Sequence, residues 1–197
     1  MAGDLIEAVG SGDVARVSAA VAEGAALEQR DSARRTPLLL ATRANHVEIA
    51  RLLIAAGADV NAKDDIRDTP FLYAGAEGRN DILRLILATG KANLDDTNRY
   101  GGNALIPAAH HGHPDTVRIL VGAGLDIDHV NDLGWTALLE AVILGDGGQT
   151  YQEIVGILLD AGADVAIADR DGVTPQEHAR RMGYDAIVGL IEAKTRK

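Results

Sequence analysis

His110-His111-Gly112-His113-Pro114-Asp115 gathers three imidazoles and a carboxylate within six residues. Zinc takes such nitrogen and oxygen donors in tetrahedral sites. Consecutive residues on a helix, however, point about 100° apart, so His110 and His111 do not readily face one ion. Serine nucleophiles are limited to Ser11, Ser18 and Ser32, none in a strand–turn–helix elbow. Asp126, Asp128 and Asp132 lack the central glycine and terminal glutamate of a calcium loop. Gly145-Asp146-Gly147-Gly148 suits a flexible or anion-cradling turn, but no Gly-Lys-Ser/Thr follows it. Glu140 and Asp146 could do acid–base work if the fold brought them together. With no cysteine, thiolate nucleophiles, disulfides and Cys-ligated metals are excluded. The chain therefore reads as non-catalytic, with no metal and no other cofactor.

The bulk composition narrows the classes further. The 197 residues carry 29 Asp plus Glu against 19 Lys plus Arg, a net charge of −10. That balance argues against nucleic acid, whose binders are basic, and against anionic lipid. No apolar run approaches the roughly 18 residues of a membrane helix, and the opening Met1-Ala2-Gly3-Asp4 does not read as a signal peptide. The absence of cysteine fits the cytoplasm, which is the expected location. Aromatic residues make up only 3%, thin for one bulky core, while glycine is abundant at 22.

Self-comparison explains that thinness. Thr36-Pro37-Leu38 returns as Thr69-Pro70-Phe71, Asn103-Ala104-Leu105, Thr136-Ala137-Leu138 and Thr174-Pro175-Gln176, at intervals of 33, 34, 33 and 38. Gly57, Gly90 and Gly124 lie 21 residues behind the first residue of their units, whereas Gly162 lies 26 behind Thr136. Five extra residues thus sit in the fifth unit, within 143–150. Stepping back from Thr36 reaches Gly3-Asp4-Leu5, giving six units that start near 3, 36, 69, 103, 136 and 174 in a single domain over 1–197. Each threonine can cap a first helix whose opening position Pro37, Pro70 or Pro175 fills without losing a needed donor. Val47, Ile49, Leu52 and Leu53 show the helical spacing of a second helix, and the following glycine ends it. Met1–Glu23 and Glu177–Lys197 read as end caps, since no such unit buries both helices alone.

A period near 33 carrying T-P-L…A and G-A-D-V-N resembles the ankyrin repeat family over essentially the whole chain. The resemblance implies an all-α ankyrin-repeat solenoid of helix–turn–helix units with β-hairpin fingers. It implies a protein-binding role through finger tips and a concave groove lined by first helices. It also assigns His113, like His46, to a position whose ring normally serves hydrogen bonding between repeats. The stretch from Arg99-Tyr100-Gly101-Gly102 through Gly134-Trp135-Thr136 to Asp146-Gly147-Gly148 further looks like one bacterial subfamily of such proteins.

Departures from the repeat mark the candidate site. The finger pattern D/N-x-x-G-x-T holds at Asn98–Asn103, Asn131–Thr136 and Asp169–Thr174, but Arg34 and Arg67 replace its glycine in two earlier fingers. The column before the threonine reads Arg35, Asp68, Gly102, Trp135, Val173; the first-helix column four residues after it reads Leu40, Tyr73, Pro107, Glu140, His178. The repeat gives no structural reason for Trp135, the only tryptophan. Exposed aromatics with arginine nearby compose binding hot spots, so the expected partner-binding residues are Tyr73, Arg99, Tyr100, Trp135 and Glu140. Pro107, inside a first helix, is expected to distort it. The expected function is a monomeric module that binds another protein, with no nucleic-acid or membrane partner. The competing reading is a small-molecule binder or enzyme with a pocket around Trp135, Glu140, Arg99 and Tyr73.

Overall fold

A computed structural model describes residues 5–196. The start of the first unit near residue 3 and the last cap residue, Lys197, lie outside the described residues. Among these the regular structure is entirely α-helical: α1 (Leu5–Gly10), α2 (Val14–Ala22), α3 (Pro37–Arg43), α4 (Val47–Ala55), α5 (Pro70–Ala76), α6 (Asn80–Ala88), α7 (Leu105–His110), α8 (Pro114–Gly122), α9 (Ala137–Ile143), α10 (Gln149–Asp160), α11 (Pro175–Met182) and α12 (Asp185–Thr195). The chain divides into two compact units. The first comprises residues up to 74 together with 79–93, and the second comprises 75–78 with 94 onward.

Local chemistry sets where the first helices begin. The hydroxyls of Thr36, Thr69 and Thr136 accept the backbone N–H of Leu39, Leu72 and Leu139 at 3.0–3.2 Å. Thr174 and Glu177 complete a reciprocal capping box at the start of α11. Asn103 departs. Its side-chain oxygen accepts from Leu105 at 3.1 Å, α7 begins two residues after it, and no side chain caps the helix. Pro107 consequently falls in the first turn of α7, where a backbone N–H has no intrahelical partner. The expected distortion is absorbed by starting the helix late.

Both units are built in two layers. In the first, α1 packs on α2 and α3, α3 on α4, and α4 on α2 and α6; in the second, α9 packs on α7, α10 and α11, while α10 packs on α8 and α12. Residues at i, i+3 and i+4 fill the seam, as Ile82, Leu83 and Ile86 do on α6 and Val117 and Leu120 on α8. Almost all of this core is Leu, Ile, Val and Ala, with Phe71 its one large aromatic. The inter-helix break uses a left-handed residue, mostly glycine but Asn45 (φ +56°) in α3–α4.

The expected β-hairpin fingers are not hairpins of strands. Among the described residues no strand occurs, and each of these turns is closed by two backbone bonds, such as Asn131 N–H to the Trp135 carbonyl at 3.0 Å and Gly134 N–H to the Asn131 carbonyl at 2.9 Å. The turn's first residue adds side-chain bonds. Its side-chain oxygen accepts the N–H groups two and four residues on: Asp31 from Ala33 and Arg35, Asp64 from Ile66 and Asp68, Asn98 from Tyr100 and Gly102. Asn131 and Asp169 repeat the pattern. The Asp or Asn side chain thus braces each turn from its first residue, alongside the backbone bonds.

Candidate partner-binding site

The second unit assembles a connected group around Asn131. Its Oδ1 accepts the backbone N–H of Leu133 (2.9 Å) and Trp135 (3.0 Å), while its Nδ2 donates to Glu140 Oε1 at 2.8 Å. One amide therefore fixes the turn that carries Trp135 and clamps the carboxyl on α9. The Trp135 side chain is partly exposed. Glu140, expected among the partner-binding residues, is buried, its side chain only 7% exposed. Its second oxygen lies 3.5 Å from His110 Nδ1 on α7.

Burial raises the Glu140 pKa to about 7, with the Asn131 hydrogen bond opposing the rise. Burial, and then the neighbouring His111, hold His110 below the ordinary imidazole value. Near neutral pH the pair is thus an acid half-way through its titration beside a neutral ring. The same two positions recur in the next turn with the polarity exchanged. Asp169 Oδ2 meets His178 Nε2 at 2.6 Å, again nine residues apart. There the Val173 backbone N–H and then His178 lower the Asp169 pKa.

Arg99 and Tyr100 occupy the adjoining turn of the same unit, both exposed, with the guanidinium 4.7 Å from the Tyr100 ring centroid. The Tyr100 carbonyl accepts the Asp132 N–H at 2.9 Å, His129 Nε2 reaches the Gly101 carbonyl at 2.7 Å, and Arg170 donates to the Asp132 carbonyl. The three turns at 98–102, 131–135 and 169–173 are therefore stitched in series. Tyr73 belongs to the first unit. There it is half-buried, with the Arg43 guanidinium 4.5 Å from its ring centroid and Arg43 also 3.6 Å from Asp68.

The three histidines of the 110–113 run go separate ways. His110 turns to Glu140; His111 Nδ1 bonds the Ala76 carbonyl at 2.7 Å and lies 3.8 Å from Glu77; His113 stacks so close to Gly78 that a methyl there would meet its ring at 3.0 Å. Among the described residues no three His, Asp or Glu side chains converge as metal ligands would. No helix among them is long and apolar enough to cross a membrane.

The five-residue insertion is tied into its unit by side chains. Asp146 itself takes the Gly148 N–H at 2.8 Å, and the Tyr184 hydroxyl donates to the Gly145 carbonyl at 3.0 Å. A methyl on Gly147 would meet the Tyr184 ring at 2.4 Å, and one on Gly145 the Tyr151 ring at 2.6 Å. Tyr151 in turn donates to the His110 carbonyl at 2.8 Å. Two tyrosines hold the loop, and one of them also fixes the end of α7 behind Glu140.

Sequence reasoning singled out Trp135 and Glu140 but missed Asn131 and His110 as their partners. Asn131 looked like ordinary turn chemistry. The recurring nine-residue spacing to Glu140 and from Asp169 to His178 is the signal that points to it.

Comparison with known proteins gives the family. Models of the ankyrin repeat match residues 34–65, and models of three consecutive ankyrin repeats match 71–169 and 105–195. The chain is similar to a solved ankyrin repeat domain, ABAYE2397 of Acinetobacter baumannii AYE, at 51% identity and TM-score 0.94, covering 97% of each chain. It is equally similar in fold to the ankyrin repeat protein EF0377, at 43% identity and TM-score 0.94 over 98% of each chain. A curated relative is the ankyrin repeat protein YahD of Escherichia coli K12, 40% identical over 104 residues. That match covers 52% of this chain and spans about half of YahD, 52% of its length. The repeat spacing, the helix pairs and these matches together place the chain in the ankyrin repeat family.

Proposed function

We propose that this protein is a non-catalytic recognition module, a cytoplasmic monomer of six repeats in one domain, that binds another protein through its turn tips and first-helix residues. Ankyrin repeats are in general protein–protein interaction modules, and the finer assignment rests on Trp135. A partly exposed, solitary tryptophan sits on a turn whose geometry Asn131 ties to buried Glu140. A rigidly mounted aromatic loses little freedom on binding, which is what a hot spot needs. Arg99 and Tyr100 flank it on the stitched neighbouring turn, and Tyr73 is a separate candidate contact on the first unit. Affinity capture from native lysate tests the reading: wild type retains a partner that Trp135→Ala does not. Equal capture by both overturns it.

A second reading draws on Glu140 and His110. A carboxyl titrating near pH 7 beside a neutral imidazole is poised for proton transfer, as a small-molecule site would require. Saturable binding of a metabolite that shifts the Trp135 emission, in the absence of any captured protein, favours this reading.

A further inference from the structure

The connectors of the two units carry different charge. Those of the first (23–35, 56–68 and 89–93) hold seven acidic and six basic residues, a net of −1. Those of the second (94–103, 123–135 and 161–173) hold eight aspartates and two arginines, a net of −6. Both arginines are engaged locally, Arg99 over the Tyr100 ring and Arg170 on the Asp132 carbonyl.

The same edge exposes apolar side chains. Tyr100 is 53% exposed, Leu133 49% and Val130 47%. Tyr100 and Leu133 hold the same position in successive turns, two residues after the turn-heading Asn98 and Asn131. The hydrogen bond from Asp132 to the Tyr100 carbonyl holds those tips side by side. Large apolar groups held in the open leave apolar area in water that a partner can cover.

We infer that the turn edge of the second unit is a docking surface for a basic protein segment in which lysine or arginine alternates with large apolar residues. The apolar side chains cover Tyr100, Val130 and Leu133, and the cations meet the surrounding aspartates. Charge selects the partner and speeds the encounter, while apolar contact holds it. This inference rests on the protein-recognition reading and adds the partner's chemistry to it.

The probe is a fluorescein-labelled peptide of alternating lysine and leucine, with a glutamate-for-lysine counterpart, titrated by anisotropy at about 0.15 M salt, where surface charges interact within about 8 Å. The lysine peptide binds and the glutamate peptide does not. Tyr100→Ser with Leu133→Ser weakens binding about tenfold, equivalent to about 1.4 kcal/mol, and Asp132→Asn with Asp171→Asn does likewise. Removing two charges from the second helices, Glu48→Gln with Asp160→Asn, leaves affinity within about twofold. Circular dichroism melting confirms that each variant is folded; a pair that unfolds is replaced by Leu133→Thr alone with Asp171→Asn alone. Equal loss from helix and turn charge pairs, no loss from the apolar pair, or binding of the glutamate peptide overturns the inference. Should that happen while Trp135→Ala still abolishes capture from lysate, the recognition reading stands and only the basic partner falls.

Discussion

The two units build the same turn from different residues. In the first unit, Arg34 (φ +58°) and Arg67 (φ +68°) sit in the left-handed region where the second unit has Gly101, Gly134 and Gly172. The departures noted in sequence are therefore not different turns but the same turn carrying a side chain that costs about 1 kcal/mol there. The neighbouring turn decides which is tolerable. A methyl on Gly101 would meet Asp132 Oδ1 at 2.6 Å, and one on Gly134 would meet Arg170 Cγ at 2.7 Å. Arg34, by contrast, points to solvent with Asp65 3.8 Å away. Glycine in the second unit allows tight stacking of one turn on the next, and that stacking presents the Tyr100–Trp135 edge.

The largest contrast is expected at the turn-heading residues. Asn131→Ala removes two turn bonds and strips a buried carboxyl of its donor, for a loss of about 3 kcal/mol. Asp64→Ala removes only the turn bonds, for about 1–2 kcal/mol. Urea unfolding of both variants compares them, and equal losses would mean that Asn131 does not support Glu140. Next, Gly134→Ala adds a strained φ and a clash with Arg170, for about 2 kcal/mol.

A smaller, pH-linked difference belongs to Glu140. Its folded pKa of about 7 lies above the unfolded value near 4.3. The folded state therefore holds the proton more tightly, so this contribution is complete below about pH 4.3 and is lost as pH rises through 7. Melting temperatures of wild type and Glu140→Gln should diverge between pH 5 and 8, with the variant gaining on wild type as pH rises. Parallel curves would show that Glu140 titrates normally. Smallest is Arg67→Gly, which relieves strain in the first unit and stabilises by about 0.5 kcal/mol once the added unfolded-state freedom of glycine is offset.

The fold was legible because capping threonines, first-turn prolines and helix-ending glycines recur in register, and each acts locally. Strands were expected in the fingers because the family resemblance supplied them, while the Asp and Asn residues that head and brace the turns are local features open to reading. The site was half legible. Trp135 and Glu140 stand out as residues that the repeat does not need, but His110, 3.5 Å from the buried Glu140 carboxyl, lies thirty positions earlier, and no local pattern links the two. The clamp of the insertion by Tyr184 spans 39 residues and is hidden for the same reason.

Acrylamide quenching of the single tryptophan, paired with the stability of Trp135→Ala, tests the recognition claim most directly. An anchor held ready for a partner gives red-shifted, quencher-accessible emission, and Trp135→Ala folds with a loss well under the roughly 3–5 kcal/mol of a buried tryptophan. Binding of a partner then blue-shifts the emission, and the variant loses roughly thirtyfold or more in affinity. Blue, unquenchable emission in the free protein, or unfolding of Trp135→Ala, would make the residue a structural brace and contradict the account.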